Sequence, residues 1–212
     1  MSIRPVVDLS TSLGPARSQG QRSTCMAFAM SDLNRAESSA PSVLSAEFLY
    51  QAAGSISPGW KIGEGLRSVD AITVTKMPGQ PLDEHFPYQL NDPVIVGMPA
   101  CPEGQHLYCS SINLHQPTMQ VILDGLSNNQ IVGLVVRVTE GLFAPIAGVV
   151  VHQVSVIPDA YHALLAVGWG MDVEGKRYLL IRNSWGVGWG VDGHAWLPED
   201  FVDLHVLEAF GR

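Results

Sequence analysis

The order of helical and strand patterns along the chain restricts its fold more than any other feature of the sequence. Before residue 130, apolar residues recur at helical spacing in segments that begin at Cys25, Ser45, Leu66 and Thr118. From Ile131 onward the pattern is instead one of strands. Helices followed by strands predict an α+β fold with a mainly helical N-terminal half and an antiparallel β-sheet in the C-terminal half. The predicted strands are Ile131–Val138, Gly148–His152, His162–Gly168, Arg177–Arg182 and His194–Leu197.

Two further patterns refine this prediction. In the third helical segment, the spacing predicts a buried face made of Leu66, Val69, Thr73 and Met77. Residues 80–116 carry several prolines and two cysteines, which is typical of an irregular connection longer than an ordinary loop. We therefore expect one domain over residues 1–212, with a helical half to about residue 116 and a sheet half from about residue 117.

Composition indicates the class of protein and disfavours some partners. A chain of 212 residues with 46% hydrophobic and 15% charged residues is typical of a soluble globular protein with a sizeable core. Its formal net charge of -8 argues against a nucleic acid or an anionic membrane surface as a partner. Apolar runs such as Ile131–Val138 are too short to cross a bilayer as a helix.

The cysteine content and the N-terminus bear on the compartment. The first residues contain no apolar signal segment, and three cysteines are too few for a disulfide framework. We therefore expect a reducing environment, with the cytoplasm as the default location and export by another route as the alternative.

Cys25 stands at the junction between a polar, glycine-bearing loop and a helical pattern. The helix behind it has one apolar stripe, formed by Met26, Ala29, Leu33 and Ala36. Unpaired N–H groups and the helix dipole favour an anion at such a position, so a thiol there is favoured to ionise and to act as a nucleophile. The alternative is a buried cysteine that acts as a small hydrophobe, and this stretch alone does not decide between them.

A predicted hairpin brings a histidine to an asparagine. The strands that begin at His162 and Arg177 are joined by a turn centred near Asp172 and Val173, which places His162 directly opposite Asn183. An amide oxygen at that distance can accept a hydrogen bond from the imidazole and fix the orientation and tautomer of the ring. The alternative is a pair of satisfied polar neighbours at the end of a sheet.

The loop after Asn183 alternates two tryptophans with three glycines. In this loop Trp185 is placed to cover the contact between His162 and Asn183 and to keep water away from it. The alternative is a tight hairpin whose tryptophans are ordinary core residues.

Other clusters of metal-ligating residue types are not predicted to be sites. Cys101 and Cys109, with His106 between them, lack the close spacing of a zinc site, so we expect a structural pair, either reduced or bridged. The glycines around Trp169 lack the spacing of a phosphate loop. We therefore predict no metal and no cofactor. The remaining histidines are interpreted as surface or satisfied core groups: His85, His115, His152, His194 and His205.

Three separate blocks together resemble the papain family of cysteine peptidases. They are Gln19-Gly followed by Cys25, His162-Ala followed by Gly168-Trp-Gly, and the run from Asn183-Ser-Trp-Gly to Gly190. They occur in the order typical of the family and span most of the chain. The resemblance implies a fold of two lobes, one mainly helical and one mainly antiparallel β, with the active-site cleft between them.

The resemblance also implies a role for each matched residue. Cys25 would be the nucleophile and His162 the acid and base, while Asn183 would orient the imidazole and Gln19 would donate to the oxyanion. Trp185 would shield the contact between His162 and Asn183. The implied function is that of a thiol protease, an endopeptidase that hydrolyses peptide bonds through an acyl-enzyme.

Substrate binding is implied at residues flanking this set, namely Ser23, Gly65 and Ala163 together with Trp185. The expected partner is a peptide or protein substrate, and a separate inhibitor or regulator is a further expectation because no inhibitory segment precedes Ser2. Two departures stand out: Ser23 replaces a glycine of the family, and Arg22 replaces a disulfide cysteine. The alternatives are a transglutaminase, deamidase or isopeptidase activity on the same residues, or a papain-like binding module without turnover.

Overall fold

The computed structural model describes residues 2–94, 97–100 and 103–212 of the chain. Its α-helices are α1 (Cys25–Ser38), α2 (Ala46–Ile56), α3 (Ser68–Lys76), α4 (Met119–Ser127), α5 (Glu140–Phe143) and α6 (Glu199–His205). Its strands are β1 (Arg4–Asp8), β2 (Asn113–His115), β3 (Val132–Arg137), β4 (Tyr161–Met171), β5 (Arg177–Arg182), β6 (His194–Pro198) and β7 (Val206–Gly211). Within the described ranges, no helix combines the length and the hydropathy that a membrane span requires.

The chain divides into two compact units, and the division differs from the expected one at the N-terminus. One unit consists of residues 19–113 with Arg212, and the other of residues 2–18 with residues 114–211. Residues 2–18 therefore belong with the sheet, although the sequence predicts them in the helical half. The reason is β1, which pairs with β4 at the far end of the sequence, from Arg4 opposite Met171 to Asp8 opposite Gly168.

The helical unit is built on contacts among α1, α2 and α3. α2 begins where the sequence predicts, because the hydroxyl of Ser45 accepts a hydrogen bond from the backbone N–H of Phe48 at 2.9 Å. Leu33 of α1 and Leu49 of α2 are completely buried. These helices form the core that supports the loops before α1 and after α2.

The predicted buried face of α3 is wrong. Val69 is 46% exposed and Met77 is 79% exposed, and Met77 lies beyond the end of the helix. The face that is buried carries Ser68, Ala71, Ile72 and Thr75, at the spacing i, i+3, i+4 and i+7. An apolar count misses this stripe because two of its members are polar. Thr75 can nevertheless be buried, because its hydroxyl donates a hydrogen bond of 2.8 Å to the carbonyl oxygen of Ile72.

The sheet unit contains strands in the order β2-β7-β3-β4-β5-β6, and β1 pairs with β4 as well. The pairs of β4 with β1, β3 and β5, of β3 with β7, and of β5 with β6 are antiparallel. α4 and α6 pack on this sheet, and the core between them is completely buried at Ile122, Leu134 and Phe201. Gly168 allows β1 to approach, because a Cβ there would lie 2.4 Å from the carbonyl oxygen of Val7.

The predicted strand Gly148–His152 does not form. Residues Ile146 and Val149 instead exchange two backbone hydrogen bonds of 2.9 and 3.0 Å in a tight turn. The two residues between them, Ala147 and Gly148, have φ values of 50° and 75°, which a strand does not accommodate. The segment meets β6 only at one parallel bridge, between Val149 and Trp196, where the N–H of Trp196 donates to the carbonyl of Gly148 at 2.8 Å and the N–H of Val150 donates to the carbonyl of Trp196 at 2.9 Å.

Candidate active site

The helical unit carries the predicted nucleophile at the start of a helix. Cys25 is the first residue of α1, it is half-buried, and it is a thiol and not part of a disulfide. Thr24 precedes it without a side-chain cap, and the first turn of the helix holds no acidic residue. The helix terminus therefore presents N–H groups and a partial positive charge beside the sulfur, which favours the thiolate.

Gln19 is held in a defined orientation on the same loop. Its side chain is buried, and its Nε2 donates to the carbonyl oxygen of Arg22 at 2.8 Å. The backbone carbonyl oxygen of Gln19 accepts a hydrogen bond from the hydroxyl of Tyr88 at 2.8 Å. The hydroxyl of Tyr88 also lies 2.8 Å from the hydroxyl oxygen of Thr24. Tyr88 therefore links the two ends of the turn that leads to Cys25. Tyr88 could not be identified from the sequence, because nothing local connects it to residue 19.

The predicted substrate-binding residues Ser23 and Gly65 lie near each other on this unit. Both are exposed, and a Cβ added to Gly65 would meet only the carbonyl oxygen of Ser23, at 4.0 Å. The loop that carries Gly65 is held by Trp60, whose indole N–H lies 3.0 Å from the carbonyl oxygen of Gly65 and 3.2 Å from that of Glu64. An extended peptide backbone could therefore approach Gly65 without meeting a side chain there.

The sheet unit carries the predicted histidine and asparagine in contact. Nε2 of His162 lies 2.7 Å from Oδ1 of Asn183, and the two residues are only 5% and 2% exposed. The same Oδ1 accepts the backbone N–H of Ser184 at 2.8 Å, which identifies this atom of the amide as the oxygen. Nε2 must therefore carry the hydrogen, and Nδ1 is left as the nitrogen that can exchange a proton with another group.

The hairpin register that led to this pair is nevertheless wrong. Met171 pairs with Arg177, so the turn is centred at Glu174 and not near Asp172 and Val173. A β-bulge between Ala166 and Gly168 shifts the register by one residue, and Leu165 then lies opposite Arg182. His162 lies opposite Val136 on β3, and not opposite a residue of β5. Asn183 follows the end of β5, and it reaches the imidazole from there. The predicted contact is present, but it forms beyond the last pair of β4 with β5 and not by direct cross-strand pairing.

Trp185 lies against the imidazole, as the sequence predicts. Its ring centroid is 4.6 Å from that of His162. Trp185 also stacks on Phe143, with ring centroids 5.4 Å apart and an angle of 5° between the rings. It meets Trp189 edge-on, with ring centroids 5.9 Å apart. Trp189 is fixed in turn by a hydrogen bond of 2.9 Å from its indole N–H to the carbonyl oxygen of Leu142. Phe143 is a member of this aromatic group that the sequence did not indicate.

Ala163 is the least accessible of the predicted site residues. It is 2% exposed and lies opposite Val135 in the pairing of β3 with β4. Its role as part of a substrate pocket stays a prediction.

The predicted cysteine pair is only partly described by the structure. Cys109 is an exposed thiol, whereas Cys101 lies outside the described residues. Over residues 2–94, 97–100 and 103–212, no group of three or more His, Cys, Asp or Glu residues is arranged to hold a metal ion.

The fold and these two groups of residues define a papain-like protein. The family model described as papain family cysteine protease matches residues 6–202. The chain therefore belongs to the papain family of cysteine proteases. Among curated relatives, ananain from Ananas comosus is 46% identical over 39 residues, which is 18% of this chain and 11% of ananain. The chain is thus matched to only a small part of that relative's length.

Solved structures share the fold over nearly the whole chain. Xylellain, a cysteine protease from Xylella fastidiosa, superposes with a TM-score of 0.77 at 20% identity, covering 99% of this chain and 86% of that one. Digestive procathepsin L 3 from the larval midgut of Tenebrio molitor gives a TM-score of 0.79 at 18% identity, covering 100% of this chain and 70% of that one. These likenesses establish a papain-like α+β fold.

Proposed function

We propose that this chain is a thiol protease that hydrolyses peptide bonds through Cys25, His162 and Asn183 with an acyl-enzyme intermediate. The observation that carries the proposal is the buried hydrogen bond of 2.7 Å between His162 Nε2 and Asn183 Oδ1. It leaves Nδ1 of the imidazole for proton exchange, in a chain of the papain family whose half-buried thiol begins a helix. A thiol favoured as thiolate and an imidazole of fixed tautomer are the two groups that thiol acyl transfer requires.

In the first step, the thiolate of Cys25 attacks the carbonyl carbon of the scissile peptide bond. The carbonyl oxygen becomes an oxyanion, to which the side-chain amide of Gln19 and the backbone N–H of Cys25 donate. Losing one such donor typically raises the barrier by about 3–4 kcal/mol. Gln19 is suited to this role because its amide plane is already fixed by the bond from Nε2 to the Arg22 carbonyl.

In the second step, protonated His162 gives its Nδ1 proton to the leaving amine, and the C–N bond breaks. Water then attacks the carbonyl carbon of the thioester while His162 takes up a proton from the water. The C–S bond breaks, which releases the carboxylic acid product and regenerates the thiolate of Cys25. Asn183 keeps the imidazole in the tautomer that this requires, because its oxygen can only accept from Nε2–H. Trp185, packed on the ring, limits the access of water to that bond.

The substrate is a peptide or protein, with its backbone along Gly65 beside Ser23. The exposed surface at Gly65 and the absence of a clash with an added Cβ support this assignment. A separate inhibitor or regulator is part of the same proposal.

The test is hydrolysis of a panel of fluorogenic dipeptide amides with and without a thiol reductant. We expect turnover that depends on the reduced protein, with no detectable turnover for Cys25→Ala. The exposed thiol of Cys109 provides the matched control, and Cys109→Ala should retain the activity of the unmodified protein. Mass analysis of a peptide mixture should show cut backbones and not altered side chains. Full activity in folded Cys25→Ala would refute the proposal.

A further inference from the structure

Arg22 is a buried cation on the turn between Gln19 and Cys25, and it has an unusually complete set of partners. It is 6% exposed, and it meets the completely buried carboxylate of Glu47 through Nη1 at 2.5 Å and Nη2 at 3.3 Å. Its Nε donates to Asp92 at 2.7 Å, and its Nη1 also donates to the carbonyl oxygen of Gln89 at 2.7 Å. Both edges of the planar guanidinium are therefore occupied.

Two aromatic rings pack against the same cation. The Cζ atom of Arg22 lies 4.9 Å from the ring centroids of both Tyr50 and Tyr88. Burial acts to lower the pKa of Arg22, but the hydrogen bonds that it donates to Glu47 and Asp92 outweigh this effect and raise the pKa, so the residue stays charged. We refer to Arg22 with Glu47, Asp92, Tyr50 and Tyr88 as the Arg22 clamp.

The Arg22 clamp is connected to the oxyanion donor through the backbone. The carbonyl oxygen of Arg22 accepts Nε2 of Gln19 at 2.8 Å and also the backbone N–H of Thr24 at 2.8 Å. One hydrogen of the Gln19 amide is thereby directed at Arg22, and this sets the direction of the second hydrogen on the same nitrogen. Tyr88 belongs both to the clamp and to the turn, because its hydroxyl donates to the carbonyl of Gln19.

A gain in folding stability does not explain why the chain buries these charges. Removing two charges from water is costly, and a buried ion pair often adds little net stability compared with apolar residues of similar size. What the clamp does provide is a fixed position, since two carboxylates and a backbone carbonyl hold the guanidinium and two aromatic rings pack near it. An ammonium group cannot reproduce this, because it lacks the planar fork that meets Glu47 with two nitrogens.

We propose that Arg22 is a positioning residue for the reaction, and that the Arg22 clamp holds the carbonyl which orients the Gln19 amide toward the developing oxyanion. The inference rests on the proposed function. Arg22 itself contacts no reacting atom and acts through Gln19.

The test compares Arg22→Lys with the unmodified protein. The variant keeps the charge but loses the fork, so the Arg22 carbonyl and the Gln19 amide shift. Because a misplacement of about 1 Å can cost on the order of 10²-fold in rate, we expect kcat to fall by roughly 10- to 100-fold while KM changes by less than about twofold. Alkylation of Cys25 by iodoacetamide forms no oxyanion, so its rate should stay within about twofold of the unmodified protein.

A double-mutant cycle separates positioning from a general loss of structure. In a Gln19→Ala background, Arg22→Lys should cost less than about twofold in kcat, because the residue through which it acts is gone. Arg177→Lys is the control, since Arg177 forms an ion pair with Glu199 in the sheet unit and should keep full activity. If Arg22→Lys does not fold, Asp92→Asn removes a carboxylate at the more exposed end of the clamp and should show the same pattern with a smaller loss.

Three results would overturn the inference. The first is an unchanged kcat in Arg22→Lys. The second is a double variant in which Arg22→Lys lowers kcat by the same factor in the Gln19→Ala background as in the unmodified protein. The third is a rate of Cys25 alkylation in Arg22→Lys that falls in parallel with kcat. If the unmodified protein shows no turnover that depends on Cys25, the proposed function fails and this inference fails with it. Turnover that depends on Cys25 but not on Arg22 refutes the inference alone.

Discussion

Replacing Asn183 by alanine tests the assignment of the imidazole tautomer. In the folded protein Asn183 Oδ1 accepts two hydrogens, one from His162 Nε2 at 2.7 Å and one from the backbone N–H of Ser184 at 2.8 Å. The substitution removes this acceptor, and both donors are left in a buried environment. The ring of His162 is then free of the contact that fixes its orientation, so Nδ1 is no longer reliably presented for proton exchange.

The size of the effect follows from the burial of the pair. Leaving a buried donor unsatisfied costs about 1–3 kcal/mol. If the transition state bears this whole penalty, kcat/KM falls by about 5- to 160-fold, since about 1.36 kcal/mol corresponds to about tenfold in rate. The loss should appear mainly in kcat, because Asn183 orients a catalytic group and is not placed to bind the substrate.

The assay is steady-state hydrolysis of a fluorogenic dipeptide amide, together with thermal unfolding of each variant. Asn34→Ala is a matched control, because Asn34 is also a completely buried asparagine, with a hydrogen bond of 2.8 Å to Gln80 Oε1. It should lower the unfolding temperature without a comparable loss of kcat. Asn183→Asp retains an acceptor, and its negative charge should move the alkaline limb of the kcat/KM profile to higher pH by favouring the protonated imidazole. An unchanged kcat/KM in folded Asn183→Ala would refute the reasoning.

Two other predictions concern stability. Gly168→Ala places a Cβ 2.4 Å from the carbonyl oxygen of Val7 and should lower the free energy of unfolding by about 1–3 kcal/mol. Gly188→Ala is the control, because a Cβ there meets nothing within 4 Å. Chemical denaturation measures the stability of both variants, and equal stabilities would contradict the prediction. Burial, followed by the positive charge of Arg182, lowers the pKa of His194 in the folded state. The unfolded chain therefore binds more protons below about pH 6.5, and the free energy of unfolding should decrease as the pH falls through that value. His194→Gln should flatten this segment of the stability profile, and an unchanged slope would exclude His194 as its source.

The features that could be predicted from the sequence are those set by neighbours along the chain. The start of α1 at Cys25 follows from a polar loop that meets an apolar stripe. Ser45 and Thr118 cap α2 and α4 through hydrogen bonds to Phe48 and Val121, three residues on. Such contacts are encoded within a few residues, so a pattern of residue types is sufficient to find them.

The features that could not be predicted depend on distant partners. The pairing of β1 with β4 joins the start of the chain to a strand in its C-terminal half, and nothing in Arg4–Asp8 identifies that partner. The bulge between Ala166 and Gly168 alters the register of the hairpin without changing its composition. The Arg22 clamp is of the same kind, because its carboxylates come from Glu47 and Asp92, which belong to separate segments of the chain.

The candidate site has two parts, each oriented by hydrogen bonds within its own unit. Gln19 is oriented by Arg22 and Tyr88 within the helical unit, whereas His162 is oriented by Asn183 within the sheet unit. Since independent sites contribute additively, any departure from additivity in kcat between Gln19→Ala and Asn183→Ala would report a step that uses both parts at once. Formation of the tetrahedral intermediate is such a step, because it needs the oxyanion donor and the imidazole together.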